Sequence, residues 1–403
     1  MKNFITKKNN NITLYLLIYL SILFFFSVCF LYIKHDVGND STISEWLINY
    51  EGGFTKRGLI GQISIYIANF FDLKLRVAIL IFQIFTILIF YILIFYYIKD
   101  QYLERYFLLA LFSPIFLLYP VAEIEVLARK ELFIFILFIL HCSIPLNRIY
   151  LNRLSKLIIL PLSMLIWEPV IFFILFWICI DFLRNIKFKN NFYFFIELLF
   201  YIPTIVLAFI FIFFPLTPEE HLKMSNFLKN NYNEICYMSC ALLNDKSTVL
   251  QQFQGNMRAY SFEVFFRYIL IVIIGFGPLF FILYNSKFNY IKKNYFNILN
   301  LVLIMLSPVL LLFAMGYDWG RWVNISYVIT FIFFIFLMKK KLIKINKDNL
   351  KKNKINLIKR KQFVIIFIIF CLTWNPKTVI TGDVASFPAY RIPYKLFKIT
   401  YLN

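Results

Sequence analysis

Apolar runs of about 15 to 25 residues recur along the chain, more than a water-exposed globular fold can bury. A hydrocarbon core about 30 Å thick is crossed by about 20 helical residues rising about 1.5 Å each, so the runs predict transmembrane helices. Composition agrees, since 61% of the 403 residues are hydrophobic and only 16% are charged. The runs lack the alternation of a membrane barrel. Eleven Gly and 13 Pro are too few for a collagenous or Gly/Pro-rich disordered chain. The prediction is one all-α integral membrane domain over 1–403, a polytopic transmembrane helical bundle of about 10 to 11 segments. They fall at 14–33, 75–98, 106–121, 132–146, a broken pair within 157–182, 192–215, 264–284, 298–316, 322–338 and 363–374.

Lys2, Lys7 and Lys8 precede the first run, which is long for a signal peptide and has no small-residue cleavage site. It reads as an uncleaved span with the N-terminus inside. Segment 157–182 sets the side of everything after it. As a short hairpin with Trp167, Glu168 and Pro169 at its outer tip, it keeps Arg184, Lys187 and Lys189 inside. The inside then receives 25 of the 42 Lys/Arg and four of the 21 acids, as the positive-inside rule requires. The net charge of +21 thus reports orientation and contact with anionic lipid, with no nucleic acid needed. On this topology 34–74 is a first outer loop with an interfacial helix, 217–262 a large outer loop able to act as a lid, and 339–361 a cytoplasmic Lys-rich loop.

Cys29, Cys142, Cys179 and Cys371 lie in spans as small hydrophobes. Cys236 and Cys240 share the large outer loop; they pair if the compartment is oxidising, unless a continuous helix there spoils the geometry. His35, His141 and His221 are scattered without a Cys/His cluster, so no metal ligands are assigned. Nucleotide-binding glycine loops and the serine-hydrolase elbow are missing from the sequence.

The remaining polar clusters fall on the outer face. The first holds Lys34, His35, Asp36, Asp40 and Glu45, then Glu51-Gly52-Gly53-Phe54-Thr55-Lys56-Arg57-Gly58. Its glycines suit either backbone amides facing a phosphate beside Lys56 and Arg57, or a tight turn into an amphipathic helix. The second runs from Glu123 to Glu131, where Arg129, Lys130 and Glu131 either bind a ligand or pair internally, as Glu125 and Arg129 would at i,i+4 of a helix. The third is Glu168, an acid in an apolar stretch and a functional candidate on that ground. The fourth is Asp318-Trp319-Gly320-Arg321-Trp322, either an ion pair in an aromatic belt or a sugar site with indole platforms. Glu197, inside a span, is left unassigned.

The order GGFTKRGLIG, RKE, an acid in a broken hairpin and DWGRW resembles polytopic membrane proteins of bacterial surface-polysaccharide loci, loosely termed O-antigen polymerase-like. The layout also resembles membrane glycosyltransferases of the GT-C type. These resemblances imply a glycosyltransferase or polysaccharide polymerase in the bacterial inner membrane, acting at the periplasmic face in polysaccharide biosynthesis. They imply a polyprenyl-(di)phosphate-linked sugar donor, a glycan acceptor and partner proteins of polysaccharide assembly. They name no certain cofactor and leave room for a divalent cation. In such an enzyme Asp36 or Glu168 would serve as catalytic base, and Glu51, Gly52, Gly53, Lys56, Arg57, Arg129, Lys130, Glu131, Asp318, Trp319, Arg321 and Trp322 would bind substrate, the cations taking phosphate. The alternatives from other classes are a transporter or flippase of lipid-linked oligosaccharide, which would place its site near the bilayer midplane, and a non-catalytic assembly component.

Overall fold

The computed structural model describes residues 2–101, 105–187, 192–244, 249–258, 260–290, 297–346, 355, 358–380 and 388–401. Among them, eight helices are long and apolar enough to cross a bilayer: Ile12–Lys34, Leu75–Ile98, Ile149–Ile166, Glu168–Lys187, Phe194–Phe213, Phe262–Tyr284, Ile298–Met315 and Trp319–Lys339. The all-α polytopic bundle is therefore as expected. Trp319–Lys339 is its axis, with 89% of its apolar window buried inside the protein, against 22% for the lipid-facing Phe194–Phe213.

Three expected segments fall short of a full crossing. Glu131–Ser143 and Arg360–Leu372 are helices of only 13 residues each. The run 106–121 is not one helix: Arg105–Leu111 ends before Ser113-Pro114, and helix resumes only at Tyr119–Ala122. Backbone that leaves a helix at bilayer depth must find partners inside the protein. The axial helix supplies them, as Asn324 Nδ2 donates to the Ile115 and Phe116 carbonyls at 2.8 and 2.9 Å and Tyr327 donates to the Ala110 carbonyl at 2.6 Å.

The predicted hairpin forms, with arms longer than expected. Ile149–Ile166 and Glu168–Lys187 are 18 and 20 residues, separated by Trp167 in an extended conformation (φ −157°, ψ 99°). The residue before Pro169 begins the second arm, so the break has the expected cause. Arg153 and Lys156, expected in an inner loop, lie within the first arm. The arms are antiparallel, because Lys156 Nζ meets Asp181 at 2.8 Å and Asn152 meets the same carboxylate at 2.9 Å. Glu197 joins them from the next helix, 2.5 Å from Lys156, 2.9 Å from Arg153 and 3.2 Å from Arg184, and Tyr201 donates to Asp181 at 2.7 Å. This cluster stands at the opposite end of the hairpin from Glu168.

Cross-links between loops group them at two ends of the bundle. At one end, Arg76 pairs with Glu234, Arg391 with Glu123, and Gly320 N–H donates to the Thr378 carbonyl. At the other, Arg105 donates to the carbonyls of Ile355 and Ile358, Lys187 to that of Lys340, and Ser286–Phe288 pairs antiparallel with Ile343–Ile345. The 34–74 stretch carries a helix where one was expected, Gly58–Phe70, with Tyr66 and Phe70 exposed. The 217–262 loop contains helix Pro218–Tyr232, started by a Thr217/Glu220 capping box, and helix Val249–Met257; its residues 245–248 and 259 lie outside the described residues, as do 347–354 and 356–357 of the 339–361 loop.

Candidate functional site

The four polar stretches meet at one end of the bundle. Asp40 accepts from Thr42 N–H at 2.9 Å and starts the short helix Ser41–Ser44, which delivers Glu45 inward. Glu45 is 1% exposed and Trp46 beside it donates to the Ala128 carbonyl at 3.0 Å, tying the first loop to the second. Ala128 (φ 54°) and Arg57 (φ 62°) both adopt left-handed backbone, uncommon for residues with a Cβ. Each stands beside or at a residue of the charged network: Ala128 precedes Arg129 and Lys130, and Arg57 itself opens the helix Gly58–Phe70.

Glu45 is the hub. Its Oε1 lies 3.2 Å from Arg321, 3.6 Å from Arg129 and 4.0 Å from Arg57. Burial alone would push this carboxyl up, but Arg321, Arg129, Arg57 and Lys130 together hold it well below the usual carboxylate range. Arg321 also pairs with Glu131 and, at 3.1 Å, with Asp318, which lies 3.4 Å from Arg129. Glu168, at the hairpin tip, receives a two-pronged bond from Arg57, Nε to Oε2 and Nη2 to Oε1, both 2.7 Å, with Lys56 at 3.7 Å. Lys130 Nζ donates to the Arg57 carbonyl at 2.5 Å. Among the described residues, five cations thus face four acids. The side chains of Lys56 (43% exposed), Asp318 (29%) and Glu168 (19%) mark where the network opens to the outside. Deeper in, Glu45 Oε2, Glu131 Oε2, Arg129 Nε, and the indole N–H groups of Trp167 and Trp322 have no hydrogen-bond partner among the described residues. Such buried groups call for an explanation, and a polar ligand or water is the usual one.

The geometry gathers Lys56, Arg57, Arg129, Lys130, Glu131, Glu168, Asp318 and Arg321 of the expected residues, with Trp322 beneath the Arg321 guanidinium at 5.3 Å. It leaves others apart. Asp36 is exposed and makes no hydrogen bond or ion pair to the network among the described residues; the turn around it is braced by Arg76, which donates to the Val37 carbonyl. Glu51 accepts from Gln62 at 2.7 Å, outside the network. Gly52 lies so close under helix Pro218–Tyr232 that a Cβ would stand 2.0 Å from the Glu220 carbonyl oxygen, and Gly53 packs against the same residue, so both serve close approach of that helix. Gly320 likewise admits the Lys377 carbonyl. Trp319 donates to the Phe313 carbonyl at 2.8 Å and is enclosed by Tyr260, Phe265 and Tyr268, so it offers no open face to a sugar. The expected Glu125–Arg129 helical pair does not form, because Ile124–Val126 is a single 3-10 turn and Arg129 turns to Glu45 and Asp318. Asp318–Arg321 does pair as expected. Glu45, which the sequence reading placed in the first polar cluster without a role, carried a signal as an acid set directly against the apolar run Trp46-Leu47-Ile48.

Burial, opposed by Glu45 and reinforced by Arg57, pushes the Lys130 ammonium down to about 7. An unfolded Lys holds its proton to about pH 10. Between the two values the unfolded chain binds more protons, so this group makes stability rise with pH above about 7. Lys130→Met removes that contribution. The difference in unfolding free energy between wild type and variant should change by up to about 1.4 kcal/mol per pH unit between about pH 7.5 and 9.5; a constant difference contradicts the assignment.

Comparison of the chain with protein-family models, curated proteins and solved structures finds no match.

Proposed function

We propose that the chain is a membrane glycosyltransferase or polysaccharide polymerase, moving a sugar or glycan from a polyprenyl-(di)phosphate-linked donor to a glycan acceptor in the assembly of a bacterial surface polysaccharide. The observation that supports this reading is the Arg57–Glu168 pair at the open rim of a cation-rich network. The guanidinium fork that grips a carboxylate fits a phosphate equally well. A donor diphosphate takes the place of Glu168 on Arg57 and Lys56, and the displaced carboxylate is left beside the reacting sugar. Glu168 then accepts the proton of the acceptor hydroxyl. The acceptor oxygen forms its bond to the sugar carbon as the bond from that carbon to the phosphate oxygen breaks, and the leaving anion's new charge is taken up by Arg57, Arg129 and Arg321. Asp36, outside the network, has no part in this step.

Sidedness supports the same reading. The loops at the far end hold most of the excess Lys/Arg, so the positive-inside rule puts that end in the cytoplasm and the network at the extracytoplasmic face of the inner membrane. A second reading, transport of a lipid-linked glycan, draws on the buried Lys156–Asp181–Glu197 cluster, since ionisable groups inside spans often line transport paths. Purified protein in lipid nanodiscs, given a labelled polyprenyl diphosphate-linked sugar and a glycan acceptor, should transfer the label. Movement of the donor between leaflets of proteoliposomes without transfer would favour transport instead.

A further inference from the structure

Helix Pro218–Tyr232 ends at Asn233 in left-handed backbone (φ 54°), and the chain folds back along the helix it has just left. That return brings Cys236 and Cys240 to His221, fifteen and nineteen residues earlier, from which a linear reading kept them apart. Cys236 and Cys240 form a disulfide with Cα atoms 5.2 Å apart, which is open to them because no helix runs through this stretch. His221 Nε2 lies 3.4 Å from Cys236 Sγ and 3.2 Å from the Cys240 carbonyl oxygen. The three ligating atoms lie within 4.8 Å of one another. His221 and Cys236 are half-buried and Cys240 is buried.

We propose that, once its disulfide is reduced, this loop binds one soft divalent cation, of the zinc class, through His221 Nε2 and the thiolates of Cys236 and Cys240. Zinc prefers sulfur and imidazole at about 2.3 and 2.0 Å in a tetrahedron, which sets two thiolates about 3.8 Å apart. The sulfurs need only part from bonding distance to that separation, and His221 Nε2, beside them, exchanges its hydrogen bond to the Cys240 carbonyl for the cation, its ring proton moving to Nδ1. A dithiol or phosphine reductant opens the S–S bond with two electrons and two protons; binding of the cation then releases both thiol protons, leaving a neutral three-ligand centre with one position for water. The same helix carries Glu220, packed on Gly52 and Gly53, so the site sits on the helix that covers this turn of the first loop. The inference is independent of the transferase reading.

The test uses the full chain in detergent, oxidised or reduced with a phosphine and then freed of it, titrated with Zn2+ alone and read by bound metal per chain, with Cd2+ used for the thiolate charge-transfer band. The reduced protein should bind one equivalent that the oxidised protein does not, His221→Ala should weaken binding at least about tenfold, and the Cys236→Ser/Cys240→Ser protein should lose it. Because oxidised and reduced wild type are the same chain, misfolding of a variant does not blur the result. Equal zinc uptake by the reduced wild type and the double variant, or unchanged affinity in His221→Ala, overturns the proposal.

Discussion

Glu168→Gln should abolish transfer while tightening the grip on the donor. Loss of a general base lowers kcat by about 10² to 10⁴, and the amide that replaces the carboxylate cannot accept a proton. Yet the substitution also removes the charged competitor that occupies Arg57 through two 2.7 Å bonds. A polyprenyl diphosphate should therefore bind the variant more tightly, by about tenfold if one charge-assisted bond no longer has to be broken. Arg57→Ala should move affinity the other way, with diphosphate binding weakened and transfer down by about 10² to 10³ as a donor to the leaving charge is lost. Arg57→Lys keeps the charge and loses the fork, so it should fall between. Opposite shifts in affinity for Glu168→Gln and Arg57→Ala are the signature of displacement. A purely structural ion pair would give parallel losses of stability and no change in affinity.

The largest stability effect belongs to the other end of the hairpin. Lys156 and Asp181 are fully buried and Glu197 is 1% exposed. Removing Lys156 as Lys156→Met leaves two carboxylates sharing Arg153 and Arg184, of which Arg184 lies 3.6 Å from Asp181 and 3.2 Å from Glu197. Breaking a buried pair in this way costs about 3 to 5 kcal/mol, a large share of the about 5 to 15 kcal/mol of a typical domain. Thermal or denaturant unfolding of the purified variant should show that loss. Lys156→Met/Asp181→Asn should recover most of it, because the remaining Glu197 keeps both arginines. A single substitution costing under about 1 kcal/mol, or a double costing the sum of two singles, contradicts the assignment of these residues to one network.

The bundle was legible because a run of apolar residues has few options in water and because Lys and Arg gather on one side of each predicted crossing. The hairpin was legible from Glu168-Pro169 together with the cations Arg184, Lys187 and Lys189 that follow it. The unwound stretch after Leu111 was not, since its carbonyls at Ile115 and Phe116 are satisfied by Asn324 from more than 200 residues away. Short and conspicuous charge clusters disclosed Arg57, Lys130 and Arg321, and the break before Pro169 disclosed Glu168. Single acids in apolar context did not disclose their partners: Glu45 and Glu197 are each surrounded by cations from other segments, a fact of packing with no local spacing to carry it. Trp319 shows the reverse error, because an indole next to a charged pair suits a sugar platform or a closed aromatic cluster equally well, and the enclosing residues Phe265 and Tyr268 come from a different helix.

The central claim is that the 45–58, 129–131, 168 and 318–322 segments together form one binding centre for a lipid-linked phosphate. It is tested most directly by photocrosslinking purified protein in nanodiscs with a polyprenyl diphosphate probe bearing the photoreactive group next to the phosphates, and sequencing the labelled peptides. Label should fall on at least two of those segments and be competed away by unlabelled polyprenyl diphosphate. Competable label confined to the Lys156–Asp181 end of the hairpin, or to the lipid-facing helices alone, would contradict it.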